Sequence, residues 1–407
     1  MGNKYDILIL GNSAAGLSAA VKARKFDKNK SICIVDREEY PAYSRVMTPY
    51  FSGHKIPKEG LFIVDEGFYN ENNITTELGK SVVEIIPEKK EVLLDDGEVL
   101  GYDKLLIGIG AEATEISVKS PKTSVLRHMS DAEFLHNAFE KAKSVTGIGA
   151  GLVTLPVLSH LKDEVEKNLI IGSGRIFSRV VNEEAALIIE EELFKKGVKI
   201  FKRDDIADYS EEDKLELSLK SGKKIITDVL VVGKGVTPNT DIAKSAGIKV
   251  NDGIIINEKC QTSIEDIYAA GDVAEGKDFV TGEMLIQGNW MTAVEQGEIA
   301  AMNMLGINVE YEGSIKNNIT EIFGIDVAVV GYYYDDAPFT EIHYNKFTGI
   351  YRKVFMNEKR QVIGATLLRE TNTAGLFYEM IKTREIFPEN FWSSGNNSYA
   401  GKISRLL

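Results

Sequence analysis

Apolar and polar positions along the chain change period in a repeating way. Tyr5-Asp6-Ile7-Leu8-Ile9-Leu10 is an almost unbroken apolar run of strand length, the pattern of a strand covered on both faces. Leu17 to Lys25 then reads as a helix, and Ser31-Ile32-Cys33-Ile34-Val35 as a second buried strand. A second unit of the same kind begins near Val145, with a helix expected over Leu155 to Leu161 and a strand over Asn168-Leu169-Ile170-Ile171. Between the two units, Val82-Val83-Glu84-Ile85 begins a β excursion. Residues Glu88 to Tyr102 alternate around Asp95-Asp96-Gly97, a hairpin signal. From residue 313 onward the pattern is different. Val327 to Tyr334, Thr340 to Tyr344, Gly349 to Phe355 and Gln361 to Leu368 read as strands, with Glu358-Lys359 in a turn.

The turn between the first strand and helix carries chemistry. Gly11-Asn12-Ser13-Ala14-Ala15-Gly16 followed by Asp36 at the end of the next strand is the strand, tight turn, helix, strand and acidic residue of a dinucleotide fold. Gly11 permits the sharp turn and Gly16 close helix packing. The amides at the helix start face a pyrophosphate, and Asp36 can accept from a ribose hydroxyl. Ser13 replaces the middle glycine. Gly11, Ser13, Ala14, Ala15, Gly16, Asp36 and Arg37 are therefore the expected first nucleotide site, and Val82, the first residue of the β excursion, is expected to touch adenine by its backbone.

The second turn, Thr146-Gly147-Ile148-Gly149-Ala150-Gly151-Leu152-Val153-Thr154, departs from the pattern twice. Thr154 stands where the third glycine belongs, and Gly172 where the acidic ribose ligand belongs. Gly172-Ser173-Gly174-Arg175 offers a hydroxyl, free amides and a guanidinium, a set that suits a 2′-phosphate better than a bare ribose. Two readings stay open: a preference for NADP, or a weakened site in which Arg175 is a solvated turn residue. The residues expected at this site are Gly149, Gly151, Leu152, Val153, Ser173, Arg175 and Gly235.

A third constellation is Ile267-Tyr268-Ala269-Ala270-Gly271-Asp272. Gly271 lets the chain approach a ligand, and Asp272 can accept from a polyol hydroxyl. Taken together and in this order, the three constellations resemble the pyridine nucleotide–disulfide oxidoreductase family of FAD proteins. Other segments fit the resemblance. Tyr102 to Ala111 is similar to the strand leading out of the FAD domain, with Gly110 matching. Val232-Gly233-Lys234-Gly235-Val236-Thr237-Pro238-Asn239 is similar to the link back, and Ala293-Val294-Glu295-Gln296-Gly297 to the helix start that faces the flavin. The resemblance implies an α/β fold of two Rossmann-like domains, for FAD and for NAD(P), the second inserted in the first, plus a C-terminal α+β domain. It implies FAD and NAD(P)H as cofactors. The implied boundaries are 1–113 and 241–312 for the FAD domain, 114–240 for the NAD(P) domain and 313–407 for a C-terminal interface domain.

One position narrows the family. NADH oxidases, NADH peroxidases and coenzyme A disulfide reductases carry a cysteine where Val46 lies, in Tyr43-Ser44-Arg45-Val46-Met47-Thr48-Pro49-Tyr50. Valine forms neither a disulfide nor a thiolate. The segment resembles the rubredoxin and ferredoxin reductases and the flavin portion of nitrite reductases, which pass electrons between NAD(P)H and an iron protein. Arg45, Thr48 and Lys55 are the candidates near the flavin, a cation there stabilising the anionic reduced ring. The direction of electron flow stays open. So do two alternatives: a flavin subunit of a larger iron–sulfur complex with an altered nicotinamide site, and a cysteine-independent NADH oxidase.

Composition sets limits. The 407 residues carry a net charge of −13, which argues against nucleic acid as partner and fits awkwardly with acidic electron carriers. A carrier would need a basic patch. Lys22, Arg24, Lys25, Lys28 and Lys30 form one candidate, against the plainer reading of a solvated helix face. Cys33 and Cys260 cannot ligate an iron–sulfur cluster within one chain, and the histidines show no metal spacing, so any such centre belongs to a partner. That partner is expected to be a small iron–sulfur protein or rubredoxin, with a homodimer or a larger redox complex also open. No apolar run is long enough to span a bilayer and the N-terminus is a core strand, which leads to an expected cytoplasmic location. The aromatic segment Phe387-Pro388-Glu389-Asn390-Phe391-Trp392, with Gly395-Asn396-Asn397-Ser398-Tyr399, is expected either to pack on the last domain or to serve as an interface element.

Overall fold

The computed structural model describes residues 3–388 and 391–392. Its first sheet has seven strands. Ile74–Leu78, Ile32–Asp36, Lys4–Leu10 and Val99–Ile107 lie side by side in parallel, and the hairpin strands Glu91–Leu94 and Val82–Ile86 extend one edge. Ile267–Ala269 joins the same sheet alongside Val99–Ile107, with Ile267 opposite Leu105, so the chain returns to this layer after a long excursion. The helices Ala14–Phe26 and Trp290–Met304 cross closely over it. A Cβ on Gly297 would fall 2.3 Å from the Ala15 carbonyl oxygen, so only glycine permits that crossing.

The excursion builds a second sheet. Lys199–Lys202, Glu166–Ile171, Ser144–Ile148, Val229–Val232 and Thr123–Ser124 run in parallel, with a three-stranded antiparallel sheet of residues 206–227 beside them. Its outward and return passes pair as the short strands Ala111–Ala113 and Val236–Pro238.

The C-terminal part is a five-stranded antiparallel sheet ordered Asn317–Ile322, Ile325–Gly331, Val362–Leu368, Ile350–Met356, Phe339–Asn345. The unbroken apolar run in Ile325–Gly331 has a direct cause. Ala328 and Val330 pack with Phe377 and Ile381 of the helix Ala374–Lys382, while Val327 and Val329 pack with Phe177 and Val181 of the second unit. The sheet is thus buried on both faces, and successive side chains serve two cores. Lys353, its side chain only 5% exposed, ties the junction by bridging Glu184 at 2.9 Å and Asp335 at 2.7 Å.

Several details differ from the sequence reading. Asn317–Ile322 was not expected because its polar edge-strand sequence carries little apolar signal, and the helix Ala374–Lys382 was also missed. The strand read as reaching Tyr334 stops at Gly331, where φ is +65° and a Cβ would meet the Ile363 carbonyl oxygen at 2.3 Å. The basic cluster is dispersed. Arg24 is buried and donates to the carbonyls of Asn72, Asn73 and Asp27, Lys22 pairs with Glu298 and Lys30 with Asp6. Phe387 is buried, and Phe391 and Trp392 pack on Phe377 at ring distances of 5.8 and 6.2 Å. Glu389, Asn390 and the tail from residue 393, including Tyr399, lie outside the described residues. No helix among the described residues is long and apolar enough to cross a membrane.

Candidate functional site

A cavity of about 710 Å³ runs from the first glycine turn to the edge of the C-terminal sheet. At this turn Gly11 has φ of +107°, and a Cβ there would lie 2.3 Å from the Gly108 carbonyl oxygen. Gly16 does not line the cavity. It lets the helix sit on the turn, since a Cβ would fall 1.8 Å from the Gly11 carbonyl oxygen. Ser13, Ala14 and Ala15 line the cavity at the helix N-terminus, and the Ser13 side chain makes no cap, leaving those amides facing the space. Asp36 stands at the end of the next strand. Its carboxylate accepts from the amides of Asn12 at 2.6 Å and Glu38 at 2.8 Å, which fixes it at the cavity wall. Arg37, Val82 and Gly110 line the same wall.

Asp272 meets this wall from the returning strand. It receives Arg127 Nη2 at 3.0 Å, across 145 residues of sequence. Gly271 donates its amide to Gln296 at 2.9 Å. Its missing Cβ keeps open the gap toward Ala15 and Ala293, each 3.4 Å from where that atom would be. Arg127 was not found from the sequence. It sits in a linker without a glycine pattern, and only the fold brings it to Asp272.

Thr48, Pro49 and Tyr50 also line the cavity, as do Asn289, Trp290 and Asn318. Val46, Met291 and Ile319 form an exposed apolar rim, each more than half exposed at 55%, 55% and 58%. Cys33 and Cys260 are fully buried and do not line the cavity, and burial pushes the Cys33 thiol up to about 12.

Of the three candidates near the flavin, one moves out. Lys55 is exposed and absent from the cavity lining, because the short helix Thr48–Ser52 ends before it and turns the chain outward. Thr48 does line the cavity, but its hydroxyl donates to the Arg45 carbonyl at 2.7 Å. Arg45 lines it too, stacked over Tyr43, donating to the Arg127 carbonyl at 3.1 Å and to Glu38 at 2.6 Å. Its charge is already matched. Burial alone would raise the Glu38 carboxyl. His128, Arg45 and the Met129 amide reverse that and hold it at about 2. His128 stands between Glu112, at 2.9 Å from Nε2, and Glu38, at 3.5 Å from Nδ1, in ion-pair reach but outside hydrogen-bond geometry. Glu38 and Glu112 raise its pKa against the opposing effect of burial.

The second unit meets the same cavity through Leu152, Val153 and Pro156, while Gly149, Gly151, Ser173 and Arg175 do not line it. Gly149, φ +89°, repeats the role of Gly11: a Cβ would lie 2.1 Å from the Gly233 carbonyl oxygen. Nothing lies within 4 Å of where a Cβ on Gly151 would be, so the turn is open to a ligand. Thr154 is fully buried at the start of the helix Thr154–His160, and its hydroxyl has no partner. Gly235 lies on the return link, accepting the Thr114 amide at 2.9 Å, away from the cavity lining. Ser173 donates its hydroxyl to the Arg175 carbonyl at 2.7 Å. The Arg175 guanidinium is held within its own loop, at Ser178, rather than over Gly172. One nitrogen donates to the Ser178 carbonyl at 3.3 Å and the other is buried without a partner, with its charge acting on Tyr333 and Asp335 of the C-terminal sheet. The loop itself folds back on the turn, since the Phe177 amide donates to the Ala150 carbonyl at 2.9 Å, and this aims Arg175 at the sheet.

A glycine turn flanked in space by Asp36 and Asp272, on a cavity that the second unit meets through Leu152 and Val153, defines a dinucleotide-binding fold. The family model of the pyridine nucleotide-disulphide oxidoreductases matches residues 5–297, and the chain belongs to that family. FAD and NAD(P)H are accordingly its cofactors. The chain is 29% identical over 395 residues to the assimilatory nitrate reductase electron transfer subunit of Bacillus subtilis (strain 168), covering 94% of this chain and 50% of that protein. It thus spans about half the length of that relative. It is 30% identical over 335 residues to the 3-phenylpropionate/cinnamic acid dioxygenase ferredoxin–NAD(+) reductase component of Photorhabdus laumondii subsp. laumondii, covering 80% and 83% of the two chains. Among solved structures, a covalent putidaredoxin reductase–putidaredoxin complex superimposes with a TM-score of 0.91 at 21% identity, covering 99% of this chain and 98% of that one.

The residues present fit FAD. The side-chain-free cradle at Gly11, the unshielded helix amides and the fixed Asp36 suit a pyrophosphate and ribose, and Asp272 suits a polyol. Bound there, FAD supplies the conversion between two-electron and one-electron transfer.

Proposed function

We propose that this protein carries electrons between NAD(P)H and a small iron–sulfur protein or rubredoxin, without a thiol of its own. One observation carries the reading: Val46 stands on the exposed cavity rim, while both cysteines are buried away from it. Asp36 holds the ribose of the flavin nucleotide. The amides after Gly11 neutralise its pyrophosphate, and Asp272 orients the chain that leads to the ring. Arg127 positions Asp272 and adds a cation beside the phosphates. Leu152 and Val153 bring the nicotinamide coenzyme against the same cavity. Hydride transfer between two held rings needs proximity rather than an acid or base. The apolar rim of Val46, Met291 and Ile319 is the exit, where a carrier shields the site from water as it docks.

The test is turnover of the holoprotein with NADPH or NADH, with and without an added ferredoxin or rubredoxin. Carrier-dependent oxidation of coenzyme is expected. Oxygen consumption of equal rate without any carrier would assign the protein as an oxidase instead.

A second reading is favoured by one fact, the half-length coverage of the nitrate reductase subunit. In it the chain is a flavin module of a larger complex. Co-purification with an iron–sulfur protein at fixed stoichiometry supports it.

A further inference from the structure

The second glycine unit lacks a carboxylate at Gly172, and Arg175 points elsewhere, yet the edge carries a free cation. Lys199–Lys202 is the outer strand of this sheet, and its Lys202 lies opposite Ile171. The next residue, Arg203, donates its amide to the Ser173 carbonyl at 3.2 Å. Its guanidinium lies over the loop: Nε and Nη2 are 3.3 and 3.4 Å from where a Cβ on Gly174 would be. A side chain at 174 would push it away. Arg203 is exposed and, among the described residues, makes no side-chain hydrogen bond or ion pair. The other cations at this edge are committed. Lys234 and Lys220 both lie on Asp205, at 3.0 and 3.6 Å. Beside the guanidinium the space is vacant, with no atom within 4 Å of a Cβ built on Gly172.

The first unit shows what this edge does. There the segment leaving the outer strand Ile74–Leu78, Lys80-Ser81-Val82, lines the nucleotide cavity. Arg203 leaves the outer strand of the second unit at the matching edge, beside the position where the acidic ribose ligand is missing.

We propose that Arg203, not Arg175, is the residue that selects a 2′-phosphorylated coenzyme, holding the 2′-phosphate in the space above Gly172 and Gly174. The proposal rests on the reading of the second unit as the NAD(P)H site. A guanidinium binds phosphate through two parallel hydrogen bonds, and an unpaired one has no partner to give up. The loop glycines keep the approach clear.

The test measures binding of adenosine 2′,5′-bisphosphate and of 5′-AMP to the FAD-loaded protein by calorimetry. Three variants are compared: Arg203→Asn, which suits the φ of +53° at that position, Arg203→Lys and Arg175→Ala. The unmodified protein is expected to prefer the bisphosphate. Arg203→Asn should weaken the bisphosphate about tenfold or more with 5′-AMP unchanged, and Arg203→Lys should recover part of the loss. Arg175→Ala should leave the ratio intact. Equal affinities in the unmodified protein overturn the proposal, as does a preference that survives Arg203→Asn or collapses with Arg175→Ala. Flavin reduction by NADPH and NADH, run alongside, separates the two levels. Reduction by NADPH without dependence on Arg203 sinks this proposal alone, and failure of both coenzymes sinks the site reading with it.

Discussion

Thr154 fits beneath the second glycine turn because residue 147 is glycine. A Cβ on Gly147 would lie 2.2 Å from Thr154 Cγ2, and one on Gly233 would lie 2.0 Å from its hydroxyl. The first unit has the reverse arrangement, with glycine at position 16 and Ile9 on the strand. The bulk has moved from strand to helix, so the missing third glycine leaves the turn shape intact. Gly147→Ala is therefore expected to destabilise by about 1–3 kcal/mol through overpacking. Adding Thr154→Gly should recover most of the loss, a coupling that thermal unfolding of the two single variants and the double variant measures. Additive effects would contradict it.

Asp36 is expected to govern flavin retention. Asp36→Ala removes a ribose acceptor and frees the amides of Asn12 and Glu38. The loss should be about 1.5–3 kcal/mol of FAD binding, roughly ten- to a hundredfold in affinity. Equilibrium dialysis of the apoprotein against FAD reads it. Unchanged retention would remove Asp36 from the site.

Glu38 links the cavity wall to pH. Its carboxyl is held at about 2 against an ordinary value of 4.5. A carboxyl depressed by folding contributes stability that is complete above pH 4.5 and is lost as pH falls toward 2. Melting temperatures of the unmodified protein and Glu38→Gln should therefore differ most above pH 4.5 and converge toward pH 2. A gap that stays constant over that range would show that the Glu38 charge contributes nothing.

No thiol should be needed. Cys33 and Cys260 are buried, and burial raises both thiols above their ordinary range. Native alkylation is expected to leave the rate of flavin reduction unchanged. Inhibition that a reducing thiol reverses would point to chemistry at one of these residues.

Much of this was legible in the sequence where function is local. Gly11, Gly149 and Asp36 act through turn geometry and strand ends, which residue type and spacing encode. Arg127 was not legible, because its partner Asp272 lies 145 residues away and no pattern marks either end of a single ion pair. Arg203 follows a strand whose end is set only by pairing with Glu166–Ile171. Arg175 was the nearer guanidinium in sequence, but loop folding against the Ala150 carbonyl decides its direction. Lys55 carries the charge a flavin site would use, but the chain after Ser52 leaves it exposed and outside the cavity lining. Asn317–Ile322 escaped because edge strands need no apolar period.

We propose that electrons pass directly between NAD(P)H and a flavin held in the cavity behind Val46. Anaerobic titration of the alkylated, FAD-loaded protein with NADPH and with NADH, followed at the flavin absorbance, tests it most directly. Bleaching by at least one coenzyme is expected, with recovery of the oxidised spectrum on adding an oxidised ferredoxin or rubredoxin. A flavin that stays oxidised with both coenzymes, or that is reduced only when free thiols are restored, would contradict it.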